Sequence, residues 1–177
     1  LFRSLQHEFI YLAVLLDAYS RRVVGWNLSR RLDVSLTLLA LESALQSRQI
    51  PPGVLHHSDR GVQYAAKDYV ARAQAAGMIL SMSRKGRPRD NPQAESFFRT
   101  LKAEQVYLTE YLDFEDAYRQ LGRFLNQVYN RERLHSKLGY RPPAEFEAAE
   151  RAKQKGHPGR STVGAPVPER PLAPAAT

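Results

Sequence analysis

The sequence predicts an α/β fold, a mixed central sheet flanked by helices. Three observations lead there. A continuous apolar run, Phe9 to Leu16, is followed after a turn by a second strand-like run, Arg22 to Leu28, and the two read as a hairpin. Strand-like and helix-like stretches then alternate as far as Met82, the order expected of a layered α/β architecture. With 177 residues and 43% hydrophobic content, the chain suits one domain with a sizeable core.

Each element has a local cause. Phe9–Leu16 has strand length and unbroken apolar character, as in a strand buried on both faces. Asp17-Ala18-Tyr19-Ser20 makes the turn; an Asp there bonds its own backbone, so Asp17 reads as a turn residue rather than a catalytic acid. Asp33 caps a helix expected from Val34 to about Gln49, with Leu38, Leu41 and Leu45 on its apolar face. Pro51-Pro52-Gly53 ends it, and Val54-Leu55 begins a short buried strand that emerges at Asp59. Lys67–Ala76 is a helix stopped by Gly77, and Met78–Met82 a short strand. Asn91-Pro92 supplies an N-cap and a first helical proline, which puts Glu95 in a first turn where the helix dipole favours an anion. Along that helix Glu95, Arg99 and Lys102 share one face, while Phe97, Phe98 and Leu101 point to the core. Asp113 begins another helix, to about Tyr129, with Leu121, Leu125 and Val128 as its stripe. Residues 151–177 are rich in Pro, Ala, Gly and charge and read as a disordered tail adding non-specific DNA affinity, so the folded domain is 1–150.

Lys and Arg number 26 against 18 acids, a net charge of +8, which points to a polyanionic partner, nucleic acid ahead of a membrane surface. The absence of cysteine excludes disulfides and thiolate metal sites. No apolar run approaches the roughly 18 residues needed to span a bilayer. The N-terminal apolar stretch carries Glu8 and Asp17, unlike a signal peptide, so a cytoplasmic protein is expected.

The candidate site runs from His56 to Lys102. Asp59 falls where a strand enters a loop and Glu95 at the start of a helix, with thirty-five residues between them. Carboxylates at element ends can converge on hard divalent cations, which take oxygen ligands. Just before Glu95, Arg84, Lys85, Arg87 and Arg89, with Asn91, form a basic loop suited to clamping DNA phosphates. Each acid also has an ordinary reading: Ser-Asp-Arg-Gly is turn chemistry, and glutamate in a first turn is common helix design. Arg99 reads as a DNA contact and equally as the partner of Glu95 in a solvated ion pair. His56, His57 and His135 lack paired ligand spacing and are read as structural or DNA-facing.

The acids, their flanks and the basic loop together resemble the DDE-type transposases and retroviral integrases, in particular bacterial insertion-sequence transposases with a retroviral-integrase-like core. Leu16-Asp17-Ala18-Tyr19-Ser20-Arg21-Arg22-Val23-Val24-Gly25-Trp26 matches that family, as does Tyr129–Phe146 with Asn130, Arg133, His135 and the Gly139-Tyr140-x-x-Pro143 turn. For Asn130, Arg133 and His135 a packing corner is the preferred role. The resemblance implies a ribonuclease H-like fold and a three-acid site in which Asp59 and Glu95 bind Mg²⁺ or Mn²⁺, two ions in the intact site. It implies that Lys102 contacts DNA ends, and that a homo-oligomer on bacterial nucleoid DNA cleaves element ends and joins the freed 3′-hydroxyl to target DNA. It also implies a first Asp on a strand upstream of Leu1, so the chain reads as a fragment lacking that acid. Two alternatives stand beside this: a catalytically inactive DNA-binding or multimer-forming remnant, and a nuclease of the same fold that hydrolyses without joining. The Tyr129–Phe146 segment argues against the second.

Overall fold

In a computed structural model, residues 2–3, 9–59, 61–85 and 90–156 are described. Strand β2 (Phe9–Leu16) pairs antiparallel with β3 (Val23–Ser29), Val14 opposite Trp26, and β1 (Phe2–Arg3) pairs with the other edge of β2 at Phe9 and Ile10. The β2–β3 turn is held by Asp17, whose Oδ1 accepts from the backbone N–H of Tyr19 and of Ser20, each at 2.9 Å. Its Oδ2 meets Arg48 at 2.7 Å. Asp17 is therefore a turn and ion-pair residue, committed away from any metal.

Helix α1 (Val34–Ser47) is capped by Asp33, which accepts from Ser35 N–H at 3.1 Å. Its buried face is Leu36, Thr37, Ala40, Leu41 and Ala44. That differs from the expected Leu38–Leu41–Leu45 stripe; Leu38 and Leu45 only flank the core. The reason lies in β3, where a Cβ on Gly25 would stand 2.4 Å from Ala40 O and 2.7 Å from Ala44 Cβ. Small residues on both sides let α1 lie directly on the strand, and the leucines are turned to its flanks.

Strands β4 (Leu55–Ser58) and β5 (Ile79–Met82) form a parallel pair, joined by α2 (Lys67–Ala75), with Gly77 at φ +76 stopping that helix. The expected mixed sheet is thus present as an antiparallel triplet and a parallel pair. Among the described residues no ladder joins β2 to β4. β4 is also less buried than expected: Leu55 is 63% exposed, and the buried residue is Ser58.

Two cores meet at β2, whose alternating side chains serve both. Ile10 packs with Val23, Leu28, Phe97, Leu101, Leu121 and Leu125 on one face, and Ala13 and Leu15 with Leu36, Leu41, Tyr69 and Met78 on the other. The first core is built by α3 (Pro92–Glu104), α4 (Phe114–Arg123) and a π-helical segment, Phe124–Glu132. Asp113 caps α4 as expected, accepting from Asp116 N–H at 2.7 Å. The single helix expected to Tyr129 instead widens after Arg123, which brings Asn126 to the Trp26 indole and Asn130 to Val23. Helix α5 (Pro143–Gly156) contains the residue-151 boundary expected for the tail, and 157–177 lies outside the described residues. It is docked by Glu147, which accepts from Ser20, Arg22 and Arg48 at 2.6–2.7 Å.

Candidate metal and nucleic-acid site

The parallel pairing of β4 with β5 fixes the geometry of the site. Ser58 lies opposite Met82, and Ser83 N–H donates to Ser58 O at 2.9 Å, so Asp59 and the Ser83–Lys85 segment leave the sheet side by side. His57 ties the two strands from within: its ring nitrogens lie 3.1 Å from Ser81 Oγ and 3.1 Å from Ser83 Oγ. His56 is held by Tyr69, whose hydroxyl lies 2.8 Å from Nε2, and burial pushes the His56 pKa down. Both histidines are thereby engaged within the protein.

Asp59 is exposed, and its Oδ1 accepts from Gly61 N–H at 2.8 Å, closing the turn that leaves β4. Across a cavity of about 110 Å³ it faces the start of α3, represented by Asn91, Gln93 and Ala94. Asn91 caps that helix as its sequence suggests, accepting from Ala94 N–H at 3.4 Å, and Pro92 occupies the first turn. Glu95 follows in the same turn and is exposed, but does not itself line the cavity. Among the described residues neither Asp59 nor Glu95 has an ion-pair partner, nor does a group of three potential ligands from His, Asp or Glu converge. The available donors are carboxylate oxygens, which fit a hard divalent ion and not a soft one.

The basic loop divides. Arg84 closes it on itself: its Nε and Nη2 reach Asp90 at 3.0 and 2.9 Å, and its N–H donates to the same carboxylate at 2.9 Å. Those bonds from Arg84 hold the Asp90 carboxyl well below the usual range. Arg84 is therefore already paired, and Asp90 is a loop-closing residue that the sequence reading missed; an Arg and an Asp six apart around Gly86 and Pro88 were its signal. Lys85 is exposed. Arg87 and Arg89 lie outside the described residues. On α3, Arg99 is exposed and Lys102 half-buried, and no ion pair to either occurs among the described residues, so the Glu95–Arg99 pair is not formed.

In the Tyr129–Phe146 segment the three residues singled out in the sequence bond to neighbouring elements or pack beside them. Asn130 is buried and clamps β3, accepting from Val23 N–H and donating to Val23 O, both at 2.9 Å. Arg133 chelates Glu104 at the end of α3 with contacts of 2.8–3.0 Å. His135 packs edge-on to Tyr129 with centroids 5.0 Å apart, and its backbone bridges to Arg141.

Two models described as integrase core domain match the chain, over residues 2–88 and 76–143. The transposase for insertion sequence element IS904 of Lactococcus lactis is 36% identical over 138 residues, 78% of this chain and 54% of that protein. The IS600 uncharacterized 31 kDa protein of Shigella sonnei is 40% identical over 141 residues, 80% and 52% of the two chains. Transposase InsF for insertion sequence IS3A of Escherichia coli is 39% identical over 139 residues, 78% and 48%. The chain spans about half the length of these curated relatives. A chain in the cryoEM structure of a simian T-cell lymphotropic virus intasome in complex with PP2A regulatory subunit B56 gamma shares the fold at a TM-score of 0.64 and 15% identity. The match covers 97% of this chain and 56% of that one. The fold is ribonuclease H-like. With the two integrase core matches together spanning residues 2–143, the chain belongs to the integrase core family of bacterial insertion-sequence transposases.

Proposed function

We propose that this chain is the catalytic core of a DNA transposase, cleaving strands at element ends and joining the freed 3′-hydroxyl to target DNA. The observation that carries the reading is the meeting of Asp59, at the end of β4, with the first turn of α3 across one small cavity. Asp59 and Glu95 hold the divalent ions, Mg²⁺ or Mn²⁺. When bound, such an ion activates the attacking oxygen and stabilises the leaving one in an in-line displacement. The protein's own part is positioning. The His57–Ser81–Ser83 bridge and the Asn91 cap fix the two carriers of the acids. Arg84 is paired with Asp90, which leaves the exposed Lys85, and Arg99 and Lys102 on α3, to meet phosphates.

The third carboxylate that the family resemblance implies would enter on a strand between β2 and β4, whose facing residues Val14–Leu16 and His56–Asp59 line the same cavity. The protein acts as a homo-oligomer assembled on bacterial DNA. No helix among the described residues is long and apolar enough to cross a membrane.

A strand-cleavage and strand-transfer assay of the full-length protein on labelled duplex ends, with Mg²⁺ or Mn²⁺, tests the proposal. Cleavage and joining lost in both Asp59→Asn and Glu95→Gln are expected. Cleavage that survives either substitution rules out this site. Salt-sensitive DNA binding with no cleavage at any metal concentration supports the non-catalytic remnant instead.

A further inference from the structure

Helix α3 has a second face, turned away from Glu95. There Gln93 and Ser96 lie across an open groove of about 550 Å³ from Arg133, His135 and Lys137, with Arg21 from the β2–β3 turn also lining it. None of the described residues that line it is acidic. Arg133 is neutralised by Glu104, but Arg21 and Lys137 make no ion pair among the described residues. His135 Nε2 is buried without a hydrogen-bond partner. Burial first, and then the charge of Arg133, lower the His135 pKa.

Arg21 sits at φ +62, a backbone region costly for any residue with a Cβ. In that turn Arg21 N–H donates to Asp17 O and Asp17 N–H to Arg22 O, each at 2.8 Å, and glycine would adopt the conformation without strain. The Arg21 charge bears on both Tyr129 and His135.

We propose that this groove seats a backbone phosphate of a DNA strand, contacted by Arg21 and Lys137, as an anchor separate from the basic loop before α3. Two uncompensated cations in a carboxylate-free groove, beside the helix that carries Glu95, complement a polyanion that runs past the site. The proposal rests on the reading that the chain binds DNA.

The test is fluorescence anisotropy of a labelled duplex with the 177-residue chain across a KCl series. Variants are Arg21→Gly, Arg21→Lys, Lys137→Gln, the Arg21→Gly/Lys137→Gln double and, as a surface control, Lys67→Gln on α2. Losing one phosphate contact lowers the slope of log K against log salt by about 0.9, so the double variant, which loses the one phosphate that both side chains hold, should lose roughly 0.9. Arg21→Lys should keep most of the slope. Arg21→Gly relieves the positive φ and should melt no lower than wild type, which separates lost binding from lost folding. A double variant with wild-type slope overturns the groove while leaving DNA binding intact. A Lys67→Gln loss as large as that of either groove variant also overturns it. A wild-type chain that binds no DNA at any salt sinks both proposals.

Discussion

Asn130→Ala is the substitution that most sharply separates a packing role from a catalytic one within the Tyr129–Phe146 segment. Asn130 and Val23 are 5% and 4% exposed, and the side-chain amide meets Val23 N–H and Val23 O at 2.9 Å each. Truncation leaves a buried donor and a buried acceptor unsatisfied, each costing about 1–3 kcal/mol. Both residues border an open groove from which water can reach them, so the low end applies to each, and the net is about 2–3 kcal/mol. For a chain of this size that is a melting-temperature loss of roughly 4–12 °C. Urea unfolding followed by circular dichroism measures the loss, and hydrogen exchange at Val23 shows whether its amide has lost protection. DNA cleavage at a temperature where the variant remains folded should be close to wild type. A loss below about 0.5 kcal/mol with the Val23 amide still protected would refute the clamp. Abolished cleavage in a variant with wild-type stability would move Asn130 into the chemistry.

Two further outcomes follow from the packing. Gly25→Ala drives a Cβ to 2.4 Å from Ala40 O and 2.5 Å from Ala44 N, backbone atoms that cannot rotate away, so it should cost about 3 kcal/mol, the upper end of overpacking. A wild-type urea midpoint for that variant would mean α1 does not lie on β3 as described. Burial alone would push Glu147 up, but bonds from Ser20, Arg48 and Arg22 outweigh it and hold its carboxyl below the ordinary value. A depressed carboxylate contributes stability above its unfolded pKa, about 4.3, that is lost as pH falls through the folded value. Glu147→Gln should therefore destabilise at pH 7, with the gap to wild type shrinking below about pH 4; a gap independent of pH in urea titrations would contradict the network.

What was legible in the sequence was local. Asp17, Asp33, Asn91-Pro92 and Asp113 announce a turn and three helix starts because their side chains bond backbone within three residues, and each does so. What was not legible depends on distant partners. The buried face of α1 turns on Gly25 of another strand. The widening of the helix after Arg123 goes with Asn130 reaching Val23, 107 residues away. Leu55 reads as buried from composition, yet β4 pairs with β5 alone among the described strands and leaves that side chain in solvent. Arg84 reads as a DNA contact from its charge, and only its bonds to Asp90 show that this carboxylate already pairs with it. For Asp59 and Glu95 the local chemistry was ambiguous, and their spacing carried weight through the family resemblance.

The central claim is that Asp59 and Glu95 hold the same ions, and paramagnetic broadening by Mn²⁺ tests it without requiring turnover. In ¹⁵N-labelled protein, substoichiometric Mn²⁺ should broaden the amides of Ser58, Asp59 and Gly61 together with those of Gln93, Ala94 and Glu95. The broadening should be displaced by Mg²⁺ and weakened at both segments by either Asp59→Asn or Glu95→Gln. Broadening confined to one segment, or insensitive to both substitutions, would contradict a shared metal site.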